Sequence, residues 1–320
     1  MKYLLVLVIL FVLELSYFKI ADYFNITDKP NQRSSHSVVT LRGGGVIFYF
    51  GALFYFFNSG FAFPWFFCGL TMMVLVSFLD DLFTLSNKVR LLVHFLSVYL
   101  MAFELGISEQ SWYILFVSFI VIVGVINAYN FMDGINGITA SYSISVIALL
   151  LIVNSSVPFI PSDLLIYTLI SLVVFAVFNF RIIAKCFAGD VGSVAIAFII
   201  LFCLGALIIK TEKLIYILFL TVYGIDTIWT IVRRLILSEN IFEAHRSHLY
   251  QYLANEAKIN KLFVALWYGI AQFIIGLGVI YFSQFNNEIQ ILFTISILVL
   301  LSLVYLLMKR YIIQRYNILN

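Results

Sequence analysis

Uninterrupted runs of about twenty apolar residues recur along this chain, and no other feature restricts its possible folds so strongly. A helix rises about 1.5 Å per residue, so crossing roughly 30 Å of hydrocarbon takes about 20 apolar residues and tolerates almost no charge. The runs neither alternate, as strands would, nor confine their apolar residues to one helical face. Of the 320 residues, 63% are hydrophobic and 11% charged, too little charge to coat a soluble domain of this length. A soluble enzyme is therefore excluded, and an all-α polytopic membrane protein is expected.

Eleven spans are predicted, near 2–20, 44–58, 62–79, 90–106, 111–129, 135–153, 163–181, 191–209, 213–235, 261–283 and 288–308, with 10 as the lower count. The first resembles a signal peptide, but no small-residue cleavage site follows and Glu14 interrupts it, so it reads as a retained helix. If odd-numbered spans run inward, 16 of the 19 basic residues fall on one side, and only Lys2, Lys210 and Lys213 on the other. The positive-inside rule then places the N-terminus outside and the C-terminus in the cytoplasm. No repeat or soluble insertion breaks the pattern, so residues 1–320 read as one domain. Cys68, Cys186 and Cys203 lack the paired spacing of a disulfide or zinc framework and read as packing residues.

Polar residues collect in the inner connections. Asp80 and Asp81 end the third span, where the helix dipole disfavours negative charge, so a metal or a cation such as Lys88 is expected beside them. Asn127, Asn130 and Asp133 follow at intervals of three, on one face of any continuing helix, before Gly134 and Gly137 break it. Gly189, Asp190 and Ser193 open the eighth span, where backbone amides can cradle a phosphate and a carboxylate can bind the metal bridging it. After Asp226, Arg233 and Arg234 comes EAHRSHLYQ, with His245, Arg246 and His248; the forked donors of Arg246 suit phosphate. His94 reads as a packing histidine. The first inner loop carries Asn31, Arg33, His36 and Arg42 ahead of Gly43, Gly44 and Gly45, a basic anion site if the amides are free. Each motif alone could be a helix cap or a packing device; their collection on one side argues for a single cleft on the cytoplasmic face.

In order and wording these motifs resemble the polyprenyl-phosphate N-acetylhexosamine-1-phosphate transferases, glycosyltransferase family 4. The pattern runs from DKPNQRSSH with RGGG, through DD with a following Lys, NAYNFMDGING and GDVGS, to the late histidine loop. HRSHLYQ and YNFMDGINGI look most like members that begin O-antigen, lipopolysaccharide or capsular glycans. Many relatives have a second Asp where this chain has Asn136, which leaves that position a hydrogen-bonding role; Asn179 joins it among the expected substrate contacts.

The resemblance implies a UDP-N-acetylhexosamine donor, an undecaprenyl phosphate acceptor and Mg²⁺, with Mn²⁺ as a substitute, in a bacterial plasma membrane. It implies no nucleic-acid partner, and since relatives are commonly dimers, a homodimer is carried as an option. The sugar, whether GlcNAc, GalNAc or a deoxy form such as FucNAc or QuiNAc, stays open. Asp190 is expected to hold the metal, with Asp133 a second ligand or substrate contact. Asp80 and Asp81 are expected to orient or deprotonate the acceptor, or one of them to attack as a nucleophile, while Lys88, Arg246 and His248 hold phosphates. The rival class is a transporter or flippase of a lipid-linked or anionic solute, whose site would lie near the bilayer midplane in broken helices.

Overall fold

The computed structural model describes residues 1–30, 38–83, 85–240, 245–316 and 318. Every predicted span coincides with a helix, because a backbone in hydrocarbon must satisfy its own polar groups. In chain order these are α1 (Lys2–Tyr23), α2 (Val46–Asn58), α3 (Pro64–Phe83), α4 (Asn87–Glu104), α5 (Trp112–Met132), α6 (Ile138–Ser156), α7 (Ser162–Asn179), α8 (Gly189–Thr211) and α9 (Thr221–Ile236), the last preceded by a 3₁₀ segment, Leu214–Leu220. A short turn, α10 (Leu249–Gln251), then leads to α11 (Lys261–Phe282) and α12 (Asn287–Arg315).

Among the described residues, nine helices are long and apolar enough to cross a membrane unaided, against the eleven expected. The other two differ for physical reasons. α2 has only 13 residues, and α4 carries Lys88, Arg90 and Glu104 within its 18. α2 packs against α7 closely enough that a Cβ on Gly51 would come within 3.0 Å of Ser171. The Glu104 carboxylate does structural work at its end of the bundle, accepting the amides of Trp65 and Phe66 at 2.7 and 3.1 Å and so closing the start of α3.

α8 forms the axis: 78% of its apolar window is buried, against 6% for α12, which lies at the periphery. Its first turn meets α2 almost backbone to backbone. A Cβ on Gly45 would lie 2.4 Å from Gly192 Cα, so only glycine fits there, the small-residue logic of helix packing in membranes. A two-residue ribbon, β1 (Thr27–Asp28) with β2 (Thr40–Leu41), ties the α1–α2 connection down. At one end of the bundle Lys2 at the start of α1 pairs with Asp163 at the start of α7 at 2.8 Å. The polar connections considered next lie at the opposite ends of those two helices. Cys186 and Cys203 are buried as expected of packing residues, whereas Cys68 is exposed on α3.

Candidate active site

Arg42 organises the polar end. The Tyr17 hydroxyl donates to its carbonyl at 2.6 Å, and its own amide donates to Ile26 O at 3.0 Å, so the ribbon and α1 fix its backbone. Its guanidinium reaches 2.6 Å from Asp81 Oδ1 at the end of α3 and 3.2 Å from Asp190 Oδ1 in the first turn of α8. Asp81 is almost wholly enclosed, its side chain 2% exposed, while Asp190 keeps 24%. Arg42 loses hydration by burial, yet Asp81, Asp190 and Asp28 outweigh that and strengthen its hold on its proton.

Asp80 faces another way. Its Oδ2 pairs with Arg90 Nη1 at 2.9 Å, and its Oδ1 accepts the Leu85 amide at 2.7 Å. The cation beside Asp80 is thus Arg90, one helical turn into α4, and not Lys88, which is exposed. Between these groups lies a narrow cavity lined by Asp80, Arg90, His94, Asn127, Asn130 and Asp190, among others. The histidine read as packing therefore lines the cleft, together with both asparagines of the NAYN face. Asn127 also donates to Val123 O at 2.9 Å, one turn back.

Asp133, just past α5, is half-buried and accepts the Thr139 hydroxyl at 2.6 Å. Burial pushes its carboxyl up to about 7; the Thr139 bond opposes this, and the nearby Asp190 charge adds to it. The His loop reaches the same place, since Tyr250 Oη donates to Phe131 O at 2.9 Å, two residues before Asp133. The His245 and His248 rings stack with centroids 5.0 Å apart, and His245 Nδ1 lies 2.9 Å from Ser247 Oγ. Burial, then the neighbouring His248, lowers His245 to about 4, so at neutral pH it is an uncharged hydrogen-bonding ring. Arg246 is half-buried between them in sequence.

Four expectations change. The Gly44 and Gly45 amides are not free for an anion: they donate to Phe187 O and Ala188 O at 2.9 and 3.1 Å, because α2 and α8 approach too closely to leave a pocket. Ser193 is buried and its hydroxyl turns back to Gly189 O and Asp190 O, both 3.3 Å away. Asn136 donates to Arg181 O and Ile182 O at 2.7 and 3.1 Å. Asn179 accepts from the Gly137 amide at 2.7 Å and donates to Cys186 O at 2.8 Å. Those two asparagines brace the loops that carry Asp133 and Asp190. Gly189, at φ +70°, retains a direct place in the site, since a Cβ there would stand 2.9 Å from Asp81 Oδ2. Asn31, Arg33 and His36 lie outside the described residues.

Two acidic residues had no assigned role in the sequence reading. Glu14 is fully buried in α1, with Cys186 Sγ 3.6 Å from its Oε1. Asp226 is buried beneath the His loop. An acidic residue inside an apolar run was the available signal for both.

Residues 63–209, from α3 through most of α8, match the model of glycosyl transferase family 4. A probable undecaprenyl-phosphate N-acetylglucosaminyl 1-phosphate transferase of Bacillus subtilis is 26% identical over 305 residues, covering 86% of this chain and 84% of that one. Over this stretch the chain is similar to glycosyl transferase family 4. It is also 28% identical, over 70% of its length, to an undecaprenyl-phosphate alpha-N-acetylglucosaminyl 1-phosphate transferase of Thermotoga maritima, covering 72% of that protein. A phospho-N-acetylmuramoyl-pentapeptide-transferase of Thermotoga maritima is 26% identical over 52% of this chain and 59% of its own. Apolar helices and relatives together make the chain a multi-pass membrane protein. Arg42 and the His loop lie outside the matched segment in sequence; Arg42 meets its carboxylates directly, and the loop anchors beside Asp133.

Proposed function

We propose that this chain transfers N-acetylhexosamine 1-phosphate from a UDP-sugar to undecaprenyl phosphate, releasing UMP, at the cytoplasmic face of a bacterial plasma membrane. The observation that carries the reading is the cluster of Asp80, Asp81, Asp133 and Asp190 interleaved with Arg42 and Arg90 at one end of the bundle. Phosphoryl transfer needs positioning and charge stabilisation more than covalent chemistry, and such a cluster supplies both. The relatives' names supply the acceptor class. A transporter would be expected to place its charges near the midplane, whereas these four acids sit at helix ends.

Four carboxyl groups against two guanidinium groups leave an excess of acidic oxygen donors, which suits a divalent cation such as Mg²⁺. Among the described residues no three His, Cys, Asp or Glu side chains form a closed cage. Asp190, with Asp133 as a second ligand, would therefore hold the ion beside water and substrate phosphate oxygens, the usual manner for Mg²⁺. When bound, the ion supplies charge neutralisation on the diphosphate. The lipid phosphate oxygen forms a bond to the donor β-phosphorus, the α–β bridge breaks, and UMP leaves with the bridging oxygen. Arg42 and Arg90 hold phosphate charge and orient Asp81 and Asp80. Asp81 is 2% exposed under Arg42, and Asp80 is committed to Arg90 and Leu85, so direct attack by the lipid fits better than an aspartyl intermediate.

Purified protein incubated with a panel of labelled UDP-N-acetylhexosamines and undecaprenyl phosphate should move label into lipid with one donor and lose that activity under chelator. Absence of transfer with every donor, together with no UDP-sugar binding, would remove the reading. In the same assay Arg90→Ala should lower the rate about tenfold or more by releasing Asp80, while Lys88→Ala stays within about twofold.

The Asp133 carboxyl supplies a pH test. Its folded pKa of about 7 lies above the unfolded value of about 3.9, so between these the folded chain binds the extra proton. Stability from this group is complete below about pH 4 and is lost as pH rises through about 7. A cation on the carboxylate reverses the loss. Mg²⁺ should therefore raise the thermal midpoint more at about pH 8 than at about pH 6, and Asp133→Asn should flatten that difference. An increment independent of pH in the wild type would contradict the assignment.

A further inference from the structure

We propose that Asp226 is a positioning residue that sets the tautomer of His248, committing Nδ1 and leaving Nε2 as the ring nitrogen that serves a phosphate. The two side chains are each 2% exposed, with His248 Nδ1 3.3 Å from Asp226 Oδ1. Asp226 cannot turn away. Its Oδ1 accepts the Leu249 amide at 2.9 Å and the Thr230 hydroxyl at 3.3 Å, and its Oδ2 accepts the Tyr268 hydroxyl at 2.7 Å and the Tyr250 amide at 3.3 Å. These donors come from α9, α10 and α11, so the carboxylate is gripped from three elements.

An ionised carboxylate only accepts hydrogen bonds, so of the two neutral tautomers the one beside it carries its hydrogen on Nδ1 and its lone pair on Nε2. Nε2 is buried and has no partner among the described residues, an unusual state for a buried polar atom. The backbone is fixed on both sides. Lys309 of α12 donates to Ser247 O at 2.6 Å, and the His248 amide donates to Gln251 Oε1 at 3.2 Å. The ring lies 6.3 Å from that of Phe131, which leads directly into Asp133. Nε2 therefore belongs to the cleft's own loop cluster. Lys309, which also contacts Thr230 at 3.4 Å, places a positive charge beside the pair.

This arrangement is the base–orienter logic of histidine catalysis in a membrane setting. It rests on the proposed transfer reaction for its meaning: Nε2 takes up the proton of a monoprotonated acceptor phosphate as its oxygen attacks, Nδ1–H stays with Asp226, and the carboxylate stabilises the imidazolium formed. Peripheral α12 acquires a purpose by the same geometry, since its buried Lys309 holds the residue preceding His248.

The chain has four histidines, so ring ¹⁵N spectra of histidine-labelled protein are simple enough to assign with His248→Gln. The wild type should show His248 protonated at Nδ1 and bare at Nε2; a proton on Nε2 would overturn the proposal without any variant having to fold. In the transfer assay, Asp226→Asn should lower kcat by about 10- to 100-fold with little change in KM for the UDP-sugar. The double variant with His248→Gln should be no slower than His248→Gln alone. Losses that multiply would overturn the proposal, because Asp226 would then act elsewhere. If the wild type transfers nothing to lipid, the reaction reading fails while the tautomer remains measurable, so the two failures are separable.

Discussion

Replacing Asp190 with asparagine is expected to cut transfer by about a thousandfold or more while leaving the protein folded. Asp190 is the most accessible acid of the Arg42 group, with its side chain 24% exposed, and it opens α8 at the cavity. Its loss leaves Arg42 still paired with Asp81 at 2.6 Å, so no buried charge is stranded and the bundle axis is untouched. What disappears is the group proposed to hold the cation against the donor diphosphate, an interaction that matters most as charge shifts during transfer. Kinetics on detergent-purified variant, with a thermal unfolding curve alongside, separate the two effects. A variant that keeps a tenth of wild-type activity would show that Asp190 is not at the reacting centre.

Arg42→Met should fail differently, losing both activity and stability. It removes the only cation paired with Asp81 among the described residues and leaves that carboxylate buried at 2% exposure. Stranding one partner of a buried pair costs about 3–5 kcal/mol; the lower end applies because the guanidinium is itself about a third exposed. Adding Asp81→Asn should restore most of the lost stability and none of the activity. Recovery of activity in the double variant would mean that Arg42 serves only to neutralise Asp81 and does not touch substrate phosphate. No recovery of stability would mean that the pair is not what holds this corner together.

The positions of the helices were legible because crossing hydrocarbon leaves a one-dimensional signature, a run of apolar residues that requires no knowledge of its neighbours. α8, which proved to be the axis, differs in sequence from peripheral α12 only subtly, since burial in protein and burial in lipid select the same residue types. The acids of the cleft were legible for the opposite reason: carboxylates at the ends of apolar spans need a purpose. Pairing was not. Asp80 had Lys88 as an expected partner, but Arg90 stands 2.9 Å from it instead, and residue spacing in sequence carries no record of that geometry. Gly44 looked like an anion cradle, and only the approach of Gly45 to Gly192, 147 positions apart, shows where the amides of that turn are spent. Asn136 and Asn179 have the chemistry of substrate contacts and the positions of loop braces. His94 shows the reverse, a histidine in an apolar span whose face, set by the packing of α4, turns to the cavity.

Asp226 belongs with these. A single aspartate inside the ninth span was visible, but its function depends on four elements meeting: α9 carries it, α10 and α11 supply partners, and α12 braces the loop above.

The most direct measurement of the central claim is the fate of the two donor phosphates. UDP-N-acetylhexosamine labelled separately at the α- and β-phosphorus is supplied with undecaprenyl phosphate, Mg²⁺ and purified protein. Label at the β-position should enter the lipid with the sugar, and label at the α-position should leave as UMP. Sugar entering lipid while both phosphates leave together as UDP would make this an ordinary glycosyl transfer and contradict attack at phosphorus.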